Sequence, residues 1–245
     1  MRYSIQQTIP LGKIGIAFSG GVDSTLLAKL CSDLKFDLVL LTIGFSKSHD
    51  ILFAQQVNQT LSYKHHILEI DSTEFDDTVQ NIEKIISVDN LSWIENGIAF
   101  YYISKLANSL GIDNIVTANG IDELFCGYNA YREVADQIDS LSTMVDRKIT
   151  NELDMLNAIN NVTSIFTVKS FQPFLSAPFI NFAKRLPFSC KIHGTDDLMR
   201  KHIIRDAAYS IDIPKLSCFK PKKAMQYGSL IHKKLLKSKF HDRSF

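Results

Sequence analysis

Short apolar runs alternate with amphipathic stretches through the first half of the chain, the pattern of strand–helix units wound around a parallel sheet. Residues 14–18 read as a buried strand. A helix over 23–34 follows, with Leu26, Leu27, Leu30, Cys31 and Leu34 at helical spacing on one face. Residues 38–43 form the next apolar run, and Asp50 then reads as the N-cap of a helix carrying Ile51, Phe53, Ala54 and Val57. A third strand is expected over 66–70. Helical stretches over 73–87 and 96–110 come next, the second stopped by Gly111, and 114–118 gives a fourth strand.

Beyond about Tyr131 the alternation ends and helical spacing takes over, over 143–160, 178–186, 196–209 and 225–237. The expectation is an α/β fold, a doubly wound parallel sheet with a helical C-terminal layer. No repeat or long Pro/Gly linker interrupts the 245 residues, so the chain reads as a single domain: a 1–135 core and a mainly helical 136–245 part with a soft boundary between them.

Composition adds exclusions rather than a function. Hydrophobic residues make up 45% and charged residues 22%, an ordinary globular balance. A net charge of +1 speaks against a surface built throughout for nucleic acid. The total conceals an asymmetry: residues 215–245 carry nine Lys or Arg against one Asp, net +8, which leaves −7 for residues 1–214. No run of eighteen apolar residues points to a membrane. Cys31, Cys126, Cys190 and Cys218 form no Cys-x-x-Cys pair, which fits a reducing cytoplasm and gives no metal or redox signature.

The chemistry enters between the first strand and the first long helix, at Ser19-Gly20-Gly21-Val22-Asp23-Ser24-Thr25. A glycine turn opening a helix aims backbone N–H groups at an anion, and Ser19, Ser24 and Thr25 add hydroxyls. The string lacks the Gly-Lys-Ser/Thr ending of a Walker loop and is not Gly-x-Gly-x-x-Gly.

It resembles the pyrophosphate loop of the N-type ATP pyrophosphatases, the adenine nucleotide alpha hydrolase-like group that includes GMP, NAD and asparagine synthetases. A second segment, Thr117-Ala118-Asn119-Gly120-Ile121-Asp122-Glu123-Leu124-Phe125-Cys126-Gly127-Tyr128, is similar to the asparagine synthetase stretch Ser-Gly-Glu-Gly-x-Asp-Glu-Leu-Phe-Gly-Gly-Tyr. Tyr63-Lys64-His65-His66, the stretch Lys201–Arg205 and the basic run Lys220-Pro221-Lys222-Lys223 fall in register with the same family. The resemblance implies ATP and Mg²⁺ as cofactors, with Asp23 and Asp122 as metal carboxylates and Lys222 as the lysine facing phosphates and intermediate. It places Ala17, Ser19, Gly20, Gly21, Ser24, Thr25, Ile43, Thr117, Ala118 and Lys220 around the nucleotide.

The implied reaction is attack of a carboxylate oxygen on the α-phosphate of ATP, loss of pyrophosphate, and transfer of the acyl group to ammonia or an amine. Aspartate or a related acid is the expected substrate. Amidation or cyclisation of a different acid, and a non-catalytic ATP-binding subunit, are the alternatives. Three residues depart from the family. Asn119 stands where a glutamate assists amine deprotonation, and an amide has no proton-accepting state near neutral pH; Glu123, Glu95 or a histidine are the candidate substitutes. Gln172 and Ser176 also differ from the family's pattern around Pro173. With Met1 only eighteen residues before Ser19, no glutaminase segment precedes the loop in this sequence, and free ammonia, ammonia from a separate glutaminase subunit, and an amine already on the substrate are the expected alternatives for the amine. No nucleic acid or membrane partner is expected.

Overall fold

The computed structural model describes residues 1–221 and 225–241. Five parallel strands run in the order β3-β2-β1-β4-β5: β1 Lys13–Ala17, β2 Asp37–Gly44, β3 His65–Glu69, β4 Asn114–Val116 and β5 Lys169–Phe171. The sequence order reverses between β1 and β4, and such a switch leaves a crevice beyond the carboxyl ends of those two strands.

Side-chain alternation sends each strand into two apolar layers. Ile14, Ile16, Leu40 and Val116 face α2 (Val22–Asp33) and α3 (His49–Leu61), which follow α1 (Arg2–Thr8). Val39, Leu41, Ile43 and Ile115 face the opposite layer, built from α4 (Phe75–Ile86), α5 (Leu91–Ser109) and α7 (Ile138–Ser164). Because both faces are covered, the strands read as unbroken apolar runs. Between β4 and α7 lies the one-turn helix α6 (Ile121–Leu124), and α8 (Ala177–Arg185), α9 (His202–Ser210), α10 (Lys215–Cys218), α11 (Met225–Gly228) and α12 (Ile231–His241) complete the chain.

Several boundaries differ from expectation. A fifth strand exists: Lys169-Ser170-Phe171 is short and mostly polar because it is an edge strand, paired only with β4. Ser48, not Asp50, is the N-cap of α3; Asp50 sits buried in the first turn with His49 Nδ1 at 3.1 Å from its Oδ1. Helix α5 starts five residues early, where Asn90 accepts from Trp93 N. The helix expected over 196–209 begins only at His202, since Asp197 Oδ1 captures the amides of Met199 and Arg200, each at 2.9 Å, in a turn. The helix expected over 225–237 is two helices, broken where Leu230 takes φ 69° and Ser229 O accepts from Phe45 N at 3.0 Å. Among the described residues no helix is long and apolar enough to cross a membrane.

Candidate active site

The loop after β1 is pressed against α3. Gly20 adopts φ 74°, and a Cβ there would lie 3.2 Å from the Ala54 Cα, so a side chain is excluded by both conformation and space. Helix α2 opens immediately afterwards, and the N–H groups of its first turn have no intrahelical acceptor. Ser24 Oγ donates to Gly21 O at 3.2 Å and accepts from Ser19 N at 3.3 Å, which holds the loop in shape. Thr25, expected to face the ligand, is fully buried with its hydroxyl 3.5 Å from Ser217 Oγ.

Across the switch crevice stand two carboxylates, Asp23 in the first turn of α2 and Asp122 in the first turn of α6. Any side chain at Gly127 would collide with Asp122 Oδ1, so the chain can pass that carboxylate only as glycine. Lys201 bridges the pair: its Nζ is 2.6 Å from Asp23 Oδ2 and 2.9 Å from Asp122 Oδ1, and its side chain is 1% exposed. Lys201 opens the stretch 201–205 that resembles the family's C-terminal part, but no local pattern pairs it with Asp23 and Asp122. It follows Arg200 in a left-handed turn, φ 48° and 55°, that no local motif announces.

Arg205 holds this turn in place. Buried in α9, it donates to Met199 O and Arg200 O on one side and to Cys218 O and Lys220 O on the other. Lys220 lies with its ammonium 3.0 Å from the centre of the Phe53 ring. Lys222 lies outside the described residues.

Two oxygen-donor side chains facing each other across the crevice suit a hard cation such as Mg²⁺. Asp23 Oδ1 strengthens the fit, being buried with no hydrogen-bond partner among the described residues. Lys201 shows that the position between the carboxylates already accepts positive charge.

A cleft of about 460 Å³ runs from the loop toward α7. Ala17, Ser19, Gly21, Asp23, Ser24, Ile43, Thr117, Ala118, Asp122 and Lys220 line it, as the sequence anticipated; Gly20 and Thr25 do not. At its far end Asn119 Nδ2 donates to Glu152 Oε2 at 3.2 Å, and Asn119 Oδ1 accepts from Thr117 Oγ1 at 2.8 Å. Lys148 and Asn151, on the same helix as Glu152, also face the cleft.

Of the acids considered as replacements for a glutamate at 119, Glu95 contacts His232 Nδ1 at 2.5 Å. Glu123 is buried and engaged: its Oε2 accepts from Gly120 N at 3.0 Å and its Oε1 from the Tyr128 hydroxyl. Burial, reinforced by Glu152 and Asp122, pushes the Glu123 carboxyl above its usual range. Glu152 is the acid that reaches Asn119, and its signal was present in the sequence. It interrupts the buried stripe Leu141, Val145, Ile149, Met155, Ile159 of α7, and an acid on an apolar face needs a reason.

Residues 6–162 match the model of the family described as asparagine synthase. A provisionally named asparagine synthetase 1 (glutamine-hydrolyzing) of Methanocaldococcus jannaschii is 30% identical over 256 residues, covering 89% of this chain and 46% of that protein. The asparagine synthetase B (glutamine-hydrolyzing) of Escherichia coli is 23% identical over 206 residues, covering 78% of this chain and 37% of its own. The chain thus spans less than half the length of these curated relatives. Among solved structures, the U34-tRNA thiolase NcsA of Methanococcus maripaludis aligns with 99% of this chain and 72% of its own at a TM-score of 0.42 and 12% identity.

Proposed function

Because the chain belongs to the asparagine synthase family, we propose that it is an ATP-dependent carbon–nitrogen ligase that activates a carboxylic acid as an acyl-adenylate and passes it to ammonia or an amine. The observation that supports this reading is the pairing of Asp23 with Asp122 across the crevice, beside the glycine loop and in the lining of a cleft of about 460 Å³.

The acid's carboxylate oxygen attacks the α-phosphorus, the bond to the β-phosphate oxygen breaks, and pyrophosphate leaves with the electron pair. Backbone N–H groups at the start of α2, with the hydroxyl of Ser19, meet the charge that gathers on the leaving group, while Ser24 holds the loop through Gly21 O. Lys220, in the lining of the cleft, adds positive charge, Lys201 offsets the charge of Asp23 and Asp122, and Lys222 is proposed to join Lys220. Asp23 and Asp122 would hold Mg²⁺, which supplies charge neutralisation along the triphosphate when bound.

The amide-forming step needs a proton acceptor for the amine, and Asn119 has none to offer. Glu152 is the proposed acceptor, oriented by the amide of Asn119. Aspartate or a related acid is the proposed substrate and ammonia, free or from a separate glutaminase, the proposed amine. The displaced carboxylate, on α7 rather than at 119, favours a second possibility in which the acid or amine differs from those of asparagine formation.

The test is incubation of the full chain with ATP, Mg²⁺, ammonium and a panel of carboxylic acids, aspartate included. AMP and pyrophosphate in equal amounts, dependent on one acid, are the expected products. Tight ATP binding with no AMP from any acid would instead assign the chain as a nucleotide-binding subunit.

A further inference from the structure

Away from the cleft, on the segment leading into α9, His193, Asp197 and His202 converge so that one potential ligand atom from each lies within 4.8 Å of those of the other two. The imidazoles are stacked, with centroids 3.6 Å apart and planes 7° from parallel. His202 Nε2 lies 2.7 Å from Asp197 Oδ2. None of the three lines the cleft.

The cluster is built rather than casual. Asp197 Oδ1 is fixed by the amides of Met199 and Arg200, and its Oδ2 by the amide of His193 at 2.9 Å, so the carboxylate is oriented before any ligand arrives. His202 is the first residue of α9 and is set by the helix. His193 is exposed and precedes Gly194, at φ 125°, so an ion has an approach and one ligand can adjust. Imidazole nitrogens with one carboxylate oxygen form a set suited to zinc-type ions rather than to Mg²⁺.

We infer that His193, Asp197 and His202 bind one first-row divalent cation of the zinc class, water completing its shell, and that this ion pins the turn delivering Lys201 to Asp23 and Asp122. The connection is covalent and short. Lys201 immediately precedes His202, and Asp197 fixes the amide of Arg200. The neighbouring Arg132, which donates to Thr195 O at 2.7 Å, and Arg200 oppose the ion's charge, which sets the affinity well below that of a closed four-ligand site.

The experiment is calorimetric titration of the metal-stripped full chain with Zn²⁺ near neutral pH in the absence of nucleotide, repeated with Co²⁺ as a visible-absorption probe. One equivalent should bind, with cobalt ligand-field bands. His193→Ala, which removes an exposed ring, should weaken binding at least about tenfold while leaving the metal-free melting temperature unchanged. Cys190→Ser should keep wild-type affinity. Hydrogen exchange of the amides of Met199, Arg200 and Lys201 should slow with Zn²⁺ in the wild type and not in His193→Ala. Absence of binding, unchanged affinity in His193→Ala, or loss in Cys190→Ser would overturn the site. Binding without slowed exchange would overturn the pinning.

Discussion

At the scale of single residues, the exchange of roles between Asn119 and Glu152 is the sharpest claim. An amide at 119 can orient a neighbour but not remove a proton, and the carboxylate it touches belongs to a helix thirty-three positions later. If Glu152 accepts the amine proton, Glu152→Gln should lower amide formation about a hundredfold to ten-thousandfold, while acid-dependent exchange of labelled pyrophosphate into ATP continues. Equal loss of both rates would remove the base assignment and leave Glu152 a binding residue. Lys201 makes a second claim. Its ammonium is nearly inaccessible and satisfies two carboxylates, so Lys201→Met strands like charges facing each other and should destabilise the fold by about 3 kcal/mol. Mg²⁺ should then raise the melting temperature of the variant more than that of the wild type, because it relieves a repulsion the wild type lacks. An equal Mg²⁺ response in both proteins would show that the ion does not take the place between Asp23 and Asp122.

At the scale of elements, what decides the site is how tightly the turn segments pass the groups they present. Gly127 borders Asp122 so closely that Gly127→Ala must displace the carboxylate or the chain. Overpacking of this kind costs roughly 1–3 kcal/mol, and pyrophosphate release should fall further than stability does. A variant with wild-type turnover would show that Asp122 tolerates movement. The same scale explains what could be read in advance. Strands β1 to β4 and helices α2 to α5 were legible because both faces of the sheet are covered, which writes apolar runs and helical stripes into the sequence. The loop at Ser19-Gly20-Gly21 was legible because its chemistry is local, and the positions of Asp23 and Asp122 through the resemblance of their segments. The same resemblance covered Lys201 but not its pairing, which depends on a turn made by Asp197 and on a contact with Asp23 across 178 positions. Edge strand β5 and the break at Leu230 escaped for the same reason: β4 and the end of β2, both distant in sequence, impose them. Glu152 carries a signal of its own, a charged residue within the buried apolar stripe of α7.

At the scale of the whole molecule, the two apolar layers draw on residues from both halves of the sequence. Val145, Ile149 and Phe174 pack with Ile14 and Leu26, and Met155 and Ile159 pack with Leu41 and Ile103. Unfolding of the second half would therefore strip the sheet of part of its cover, and the chain should open as a unit. The cysteines report on this. Cys31, Cys126 and Cys218 are buried and free, and burial pushes the thiols of Cys31 and Cys126 up to about 12, whereas Cys190 is partly exposed. Under native conditions a thiol reagent should therefore label one cysteine rapidly and the other three slowly, since a buried thiol reacts only through opening. Cys31 lies in α2, Cys126 beside Gly127 and Cys218 in α10, so three separate elements are sampled. If opening is global, the three slow sites should share one labelling rate at low reagent reactivity, and denaturant should accelerate them in parallel. ATP with Mg²⁺ binds only the closed form in this account and should slow all three by the same factor, set by nucleotide concentration over its dissociation constant. Faster labelling of Cys218 alone would mean that α10, and with it the strand of chain leading to Lys220, opens independently of the sheet.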